Sequence, residues 1–263
     1  MSRVAFLTGA SRGVGQEFAR ALAVEGYDVG LLARSDLSET AGLVEAQGRK
    51  ALADRADVTE PSAVAEALRR VEAALGPIDL LVNNAGTDRA LGPLWELDPD
   101  EWWADVDVHL RGTFLVCHAA IPGLLARGSG RIVNVASNAA LRPSPYNSAY
   151  GAAKAAILSL TESLAASLEG TGVSVFALSP GYVKTAMTER LLELQAEKGW
   201  FPHLEGRDTL DPSLASRLLV QLASGRADRL SGRFFHALDD LDEILERADE
   251  VVADDLYVPR LRR

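Results

Sequence analysis

The chain has 263 residues, 48% of them hydrophobic and 24% charged, with a formal net charge of −10. That length suits one large α/β domain, and the balance of apolar and charged residues excludes an intrinsically disordered chain. The acidic excess weighs against nucleic acid or an anionic membrane surface as the main partner, although local arginines and backbone amides can still hold an anionic cofactor.

The opening segment, Met1 to Leu7, is too short for the apolar core of a signal peptide. Val4–Thr8 reads as a first strand and runs into Thr8-Gly9-Ala10-Ser11-Arg12-Gly13-Val14-Gly15, after which a helical pattern covers Gly15–Glu25. Glycines here permit positive φ and let backbone amides approach a pyrophosphate, while the helix that follows aims free N–H groups at the same anion. The spacing departs from the GxGxxG fingerprint, but the strand, glycine turn and helix are the same physical setting. A plain structural turn is the alternative.

Tyr27–Ala33 reads as the second strand, and it ends in Ala33-Arg34. NAD-binding folds place a carboxylate there, roughly 20 residues beyond the glycines, to accept from the ribose hydroxyls. A guanidinium at Arg34, helped by Arg12, suits a 2′-phosphate instead, so NADP(H) is expected over NAD(H). Both arginines can equally be solvated surface residues. Next come a helix over Ser38–Gln47, a strand over Lys50–Ala53, a helix over Ser62–Leu75 and a strand over Leu80–Asn83, with Gly26, Gly48, Gly76 and Gly170 placed as C-terminal caps.

One long helix is expected over Glu101–Leu125, then a strand over Arg131–Ala136. Cys117, the sole cysteine, allows no internal disulfide or thiolate cluster, and His109, His118, His203 and His236 lack metal-site spacing, so no metal is expected. No apolar stretch is read as approaching the ~18 residues that span a bilayer, and a cytoplasmic location is the expectation. Ser137 follows the fifth strand, at the sheet edge where α/β proteins bind ligands. Its hydroxyl can donate to a developing oxyanion, or simply cap a turn. Tyr150 and Lys154 open the helical stretch Ala149–Leu168, and the i, i+4 spacing puts them on one face. A phenol titrates at roughly 10; a nearby ammonium and an oxidised nicotinamide would push it down into working range. A chance pair on a helix surface is the competing view. Val173–Leu178 is a sixth strand, residues 186–210 read as a substrate loop, Arg233–Ala237 as a last strand and Leu238–Val252 as an acidic helix opening a tail over 238–263. Strand–helix alternation implies a single domain with a doubly wound, mostly parallel sheet of the Rossmann type.

Together, Thr8-Gly9-xxx-Gly13-x-Gly15, Asp57-Val58, Asn83-Asn84-Ala85-Gly86, Ser137, Tyr150-xxx-Lys154 and Pro180-Gly181-xxx-Thr185 resemble the small single-domain branch of the short-chain dehydrogenase/reductase family, from about Arg3 to Met187. The resemblance implies a hydride transfer between NADP(H) and a carbonyl or alcohol, with Tyr150 as acid/base. It implies that Lys154 lowers the tyrosine pKa and binds the nicotinamide ribose, and that Ser137 orients the substrate oxygen. It further implies that Gly9, Ser11, Arg12, Gly13, Val14 and Gly15 cradle the phosphates, with Arg34 beside them. Asp57 and Val58 would hold adenine; Asn84, Ala85 and Gly86 would line the ribose; Pro180, Gly181, Val183 and Thr185 would fix the carboxamide. A homodimer or homotetramer joined through 101–125 and 149–168 is also implied. Two departures stand out. His109 occupies the family's usual asparagine position, where it either packs or adds a titratable relay group to a proton path. The C-terminus continues to Arg263 with a stripe of Leu241, Leu245, Ala248 and Val252, which either packs on its own subunit or crosses to a neighbour near its substrate mouth. An NADP(H)-binding regulatory protein without turnover, and an epimerase or dehydratase of the longer relatives, are the competing functions.

Overall fold

The computed structural model describes residues 3–260. Strands β1 (Arg3–Thr8), β2 (Tyr27–Ala33), β3 (Ala51–Arg55), β4 (Leu80–Asn83), β5 (Gly130–Val135), β6 (Val173–Ser179) and β7 (Phe234–His236) form one sheet in the order β3-β2-β1-β4-β5-β6-β7. Every pairing is parallel. β1, β2, β4 and β6 carry continuous apolar runs because both faces of the sheet are covered. Successive side chains then serve opposite layers: Leu7 joins Phe18, Leu22, Phe176 and Leu219 on one face, while Phe6 joins Leu68, Val71, Leu81 and Leu124 on the other. Each such fully buried Leu or Phe contributes roughly 1.5–3 kcal/mol.

Helices α1 (Gly13–Val24), α2 (Ser38–Glu45), α3 (Pro61–Leu75), α4 (Pro99–Val106), α5 (Gly112–Arg127), α6 (Ser148–Ser167), α7 (Ala186–Lys198), α8 (Pro212–Ala223), α9 (Leu241–Glu246) and α10 (Ala248–Ala253) complete the elements. The strand order reverses between β1 and β4, so their carboxyl ends open a crevice, the place where sheets of this kind bind ligands. Single-domain architecture of the doubly wound, Rossmann-like type is therefore observed as expected.

The details depart from the sequence reading in five places. The helix read over 101–125 is α4, a π-helical turn over Asp107–Arg111, and α5. Taken as one run, residues 99–127 are long and apolar enough by length and composition to cross a membrane, contrary to the reading above; Val116, Cys117, Ala120 and Leu124 instead pack against the sheet. The third strand is shifted to Ala51–Arg55. Residues 186–210 are largely helical, and the segment is pinned where Trp200 stacks on Tyr146 with ring centroids 5.2 Å apart. The C-terminal helix is two short helices, restarted at Arg247, which rotates the buried stripe to Leu241, Ile244, Ala248 and Val251 and leaves Val252 exposed. The tail through Arg260 packs on its own chain: Phe234 N–H donates to Tyr257 O (2.8 Å), and Arg260 reaches Glu162 of α6 at 2.6 Å. Residues 261–263, the end of the arm read as crossing to a neighbour, lie outside the described residues.

Candidate active site

A cleft of about 1260 Å³ lies over the crevice between β1 and β4. At its floor β1 turns through Gly9 (φ +64) and Gly13 (φ +57) into α1. Arg12 occupies the N-cap with extended backbone and gives no side-chain cap, so the first amides of α1 face the cleft without a protein acceptor from that residue. No side chain fits inside this turn. A Cβ on Gly15 would stand 2.2 Å from the Gly9 carbonyl oxygen, and one on Gly9 would stand 2.7 Å from Ala85 Cα. Open amides, a cradle that a methyl group would fill, and Arg12 and Arg34 on the rim fit a phosphorylated dinucleotide.

Asn84 also borders the cleft, but its side-chain amide donates to Thr8 O (3.2 Å) and Gly9 O (3.0 Å). Thr8 Oγ1 accepts the Asn84 and Ala85 N–H groups at 3.1 Å each. The Asn84 side chain thus braces the turn against β4, whereas the resemblance gave it to the ribose. At the other end, Asp57 lies 3.5 Å from Arg34. Burial alone would raise the Asp57 carboxyl, but hydrogen bonds from Thr59 and the Arg34 charge outweigh it and hold the pKa below the usual value. Val58 is buried beneath Asp57 and borders the cleft as well. Thr185 caps α7 in a reciprocal pair with Thr188, and its methyl comes within 3.3 Å of the position a Cβ would take on Gly13, so the 183–188 segment closes over the glycine turn.

Tyr150 and Lys154 rise from the first turns of α6 into the same cleft. Lys154 is buried, donates to the Val135 carbonyl at 2.6 Å, and sits 5.5 Å from the Tyr150 ring centroid. Burial draws its ammonium down to about 7. The Tyr150 phenol is raised, not lowered: burial leads, the Asp88 charge adds to it, and a hydrogen bond with Ser137 opposes both. With the ammonium itself depressed, the expected pull of Lys154 on the phenol is weak in the chain alone. Ser137 does not border the cleft directly; its hydroxyl meets Tyr150 and also accepts the Ala139 N–H at 3.2 Å. Every other expected catalytic or cofactor-binding position lines the cleft.

His109 lies in the π-helical turn and is 1% exposed. Its Nε2 is 2.7 Å from Thr87 O and its ring meets Tyr150 edge to face at 5.2 Å. Burial first, and the Lys154 charge second, push its pKa down to about 3. Burial thus keeps the ring neutral at ordinary pH, packed edge to face on Tyr150; the pH profile of a His109→Ala variant tests the titratable relay that the sequence offered as the other reading. Its backbone carbonyl accepts the Thr113 hydroxyl at 2.7 Å.

Asp88 was missed. It lines the cleft, and burial together with the Asp105 charge pushes its carboxyl up to about 7, against Arg190 and Arg12. Asp105 is itself buried and accepts the Ala90 N–H at 2.9 Å, fixing the turn that presents Asp88. The only signal in the sequence was adjacency to Asn83-Asn84-Ala85-Gly86. Trp95 and Trp103 are exposed at 84% and 61%, while Trp200 and Phe201 pack around Tyr146.

Residues 3–196 match the family model for short chain dehydrogenases. The chain is 36% identical over 263 residues to a short chain dehydrogenase of Pseudocercospora fijiensis, covering 94% of this chain and 84% of the relative. Among solved structures it is similar to an actinorhodin polyketide ketoreductase variant with NADPH (TM-score 0.83, 29% identity, 89% and 95% covered). It is equally similar to an NAD+-bound xylitol dehydrogenase (TM-score 0.83, 29% identity, 89% and 96% covered).

Proposed function

The chain belongs to the short-chain dehydrogenase family, and from that membership we propose that it transfers a hydride between NADP(H) and a carbonyl or alcohol carbon, with Tyr150 exchanging the proton. The observation that carries the reading is Tyr150 backed by Lys154, with Ser137 beside it, in a cleft whose floor is an uncapped glycine turn. The bound nicotinamide supplies or accepts the hydride. In the direction of reduction, Tyr150 Oη gives its proton to the substrate oxygen as negative charge develops there, and the Ser137 hydroxyl stabilises the same oxygen. Lys154, anchored to Val135 O, holds positive charge behind the phenol and reaches toward the ribose. Asp57 and Val58 hold the adenine, Asn84 keeps the glycine turn in shape, and Val183 and Thr185 receive the carboxamide. His109 holds the Tyr150 ring in place.

NADP(H) is preferred in this reading because β2 ends in Arg34 without a carboxylate, and Arg12 stands on the same rim. The two structural neighbours, one with NADPH and one with NAD+, support either dinucleotide, so the cofactor arm of the assay carries that part. A regulatory protein without turnover has no need of a proton donor, and the buried Tyr150–Lys154 pair weighs against it. The proposal includes a cytoplasmic location, consistent with a single buried cysteine, and a homodimer or homotetramer, for which Trp103 and Phe114 offer exposed apolar surface.

The test is a panel of ketones, aldehydes and alcohols with both dinucleotides, followed by nicotinamide absorbance. Tyr150→Phe is expected to lower kcat by about 10²–10⁴-fold. Undiminished turnover in that variant, or failure of the wild-type protein to take up either dinucleotide, overturns the reading.

A further inference from the structure

Tyr182 is 7% exposed, and among the described residues its phenolic oxygen is buried without a hydrogen-bond partner. His236 ends β7 and accepts the Leu238 N–H at Nδ1 (3.1 Å), which makes Nε2 the protonated nitrogen. That Nε2 is also buried without a partner, and it lies 3.2 Å from the position a Cβ would take on Gly181, a residue of the cleft wall, while His236 itself lines a second, smaller cavity with Leu141 and Asp239. Two buried donors thus lack an acceptor, an arrangement that disfavours the chain as it stands and that an incoming acceptor would relieve.

Arg207 is their common neighbour. Its guanidinium stands 5.3 Å over the Tyr182 ring. Burial lowers His236 and His203, and the charges of Arg207 and Arg142 lower both further, so the two arginines and two histidines share one neighbourhood. The carboxylate felt there is Asp239, and it is engaged by the backbone N–H of His236 at 2.7 Å. Among the described residues neither the Arg142 nor the Arg207 side chain makes a hydrogen bond or ion pair; both residues are exposed, and the Arg207 guanidinium stands over the Tyr182 ring. In a chain of net charge −10, a convergence of cations with unmet donors and a single engaged acid is an unusual use of positive charge.

The segments that carry these groups are those that border the reaction site. Arg142 follows the 3-10 turn Asn138–Leu141 that begins after Ser137. Tyr182 lies between Gly181 and Val183, both of the cleft wall, and Val183 is bridged to Leu210, three residues past Arg207.

We propose that Arg142, Arg207, Tyr182 and His236 form an anion-binding subsite beside the reacting carbonyl, so that the substrates are ketones or alcohols bearing a carboxylate or phosphate group. This rests on the hydride-transfer reading above and names its substrate class. An oxyanion accepts from Tyr182 Oη–H and His236 Nε2–H, and the guanidinium groups supply charge-assisted hydrogen bonds to its remaining lone pairs.

Matched probes test this with the cofactor-saturated enzyme: 4-oxopentanoate against its methyl ester, and dihydroxyacetone phosphate against dihydroxyacetone. The charged member of one pair is expected to have at least a tenfold higher kcat/KM, and the pair that shows it tells carboxylate from phosphate. In an Arg142→Ala/Arg207→Ala double variant that ratio should fall to near one; retained turnover of the neutral probe reports that the variant is folded. Calorimetric binding of 4-oxopentanoate and dihydroxyacetone phosphate to the NADP+-loaded protein gives a readout independent of turnover. Equal use of charged and neutral probes in both pairs, or a preference untouched by the double substitution, overturns the subsite and leaves hydride transfer standing. Arginine-dependent binding of an anionic probe without any turnover sustains the subsite and overturns hydride transfer.

Discussion

Replacing Gly15 by alanine puts two opposite effects in competition. Gly15 lies in α1 without a positive φ, so on helix propensity alone the substitution would stabilise the chain by about 1 kcal/mol. Against that, the new Cβ would stand 2.2 Å from Gly9 O and 2.7 Å from Asn84 Nδ2. The first is a backbone atom and cannot rotate away, so the turn must retreat by roughly 1 Å to restore an ordinary carbon–oxygen contact. Overpacking of this kind costs ~1–3 kcal/mol, leaving a net destabilisation of ~0–2 kcal/mol and a fall in Tm of up to about 8 °C. The greater effect falls on the dinucleotide, because the displaced amides are those that meet the pyrophosphate; at least a tenfold loss of NADP(H) affinity is expected, since misplacement by ~1 Å can cost 10²-fold in a positioned site. Gly42→Ala in α2 is the control: nothing lies within 4 Å of its Cβ position, so it should stabilise the chain by ~0.5–1 kcal/mol without touching affinity. Thermal unfolding with and without NADP+, and fluorescence titration of the cofactor, measure both quantities. A Gly15→Ala protein as stable as the Gly42→Ala protein, and binding as tightly as wild type, would refute the cradle.

Arg34→Ala should lower kcat/KM for NADPH about 5–30-fold, the equivalent of ~1–2 kcal/mol for one charge-assisted contact at a half-exposed site, and leave NADH unchanged; equal losses with both would remove the selectivity argument. Asp88 holds its proton up to about pH 7 in the folded chain, far above an ordinary aspartate, so its contribution to stability is complete below about pH 4 and is lost as pH rises toward 7. Asp88→Asn should therefore gain on wild type, on the order of 2 kcal/mol at pH 8 and nothing near pH 4, in thermal melts across that range; parallel curves would contradict the burial of the carboxylate. His109→Ala removes a fully buried ring, and a loss of ~2–4 kcal/mol is expected in denaturant titrations. The pH profile of its residual activity should keep its wild-type midpoints, because a group with pKa about 3 does not titrate in the assayed range; a displaced midpoint would restore the relay.

What was legible in the sequence is what local spacing determines. The glycine turn after a buried strand, the Tyr150–Lys154 pair one helical turn apart and the position of Arg34 at the end of β2 are all set within a few residues, and they stand in one cleft. The π-helical turn at Asp107–Arg111 was hidden because its apolar pattern continues from α4 into α5, with no proline or glycine inside the turn to mark the break. The stripe of the last helices was read one residue out of phase, since a restart at Arg247 leaves no trace in periodicity. Asp88 and Asp105, and likewise Tyr182, His236 and Arg207, are far apart in the chain and converge only through the sheet crossovers and the 186–210 segment. Convergence of that kind has no sequence period to betray it.

The last strand is three residues long, and its outer margin is already engaged: the Phe234 amide is bonded to Tyr257, a residue held at φ +61 so that the chain can turn back along the strand. A bare border of this kind would invite a strand from another molecule to add itself. With that margin closed by the chain's own last turn, growth of the sheet from one molecule into the next is blocked on this side, and self-association there is left to helical faces. Truncation before Leu256 would remove the Phe234–Tyr257 bond and uncover that margin.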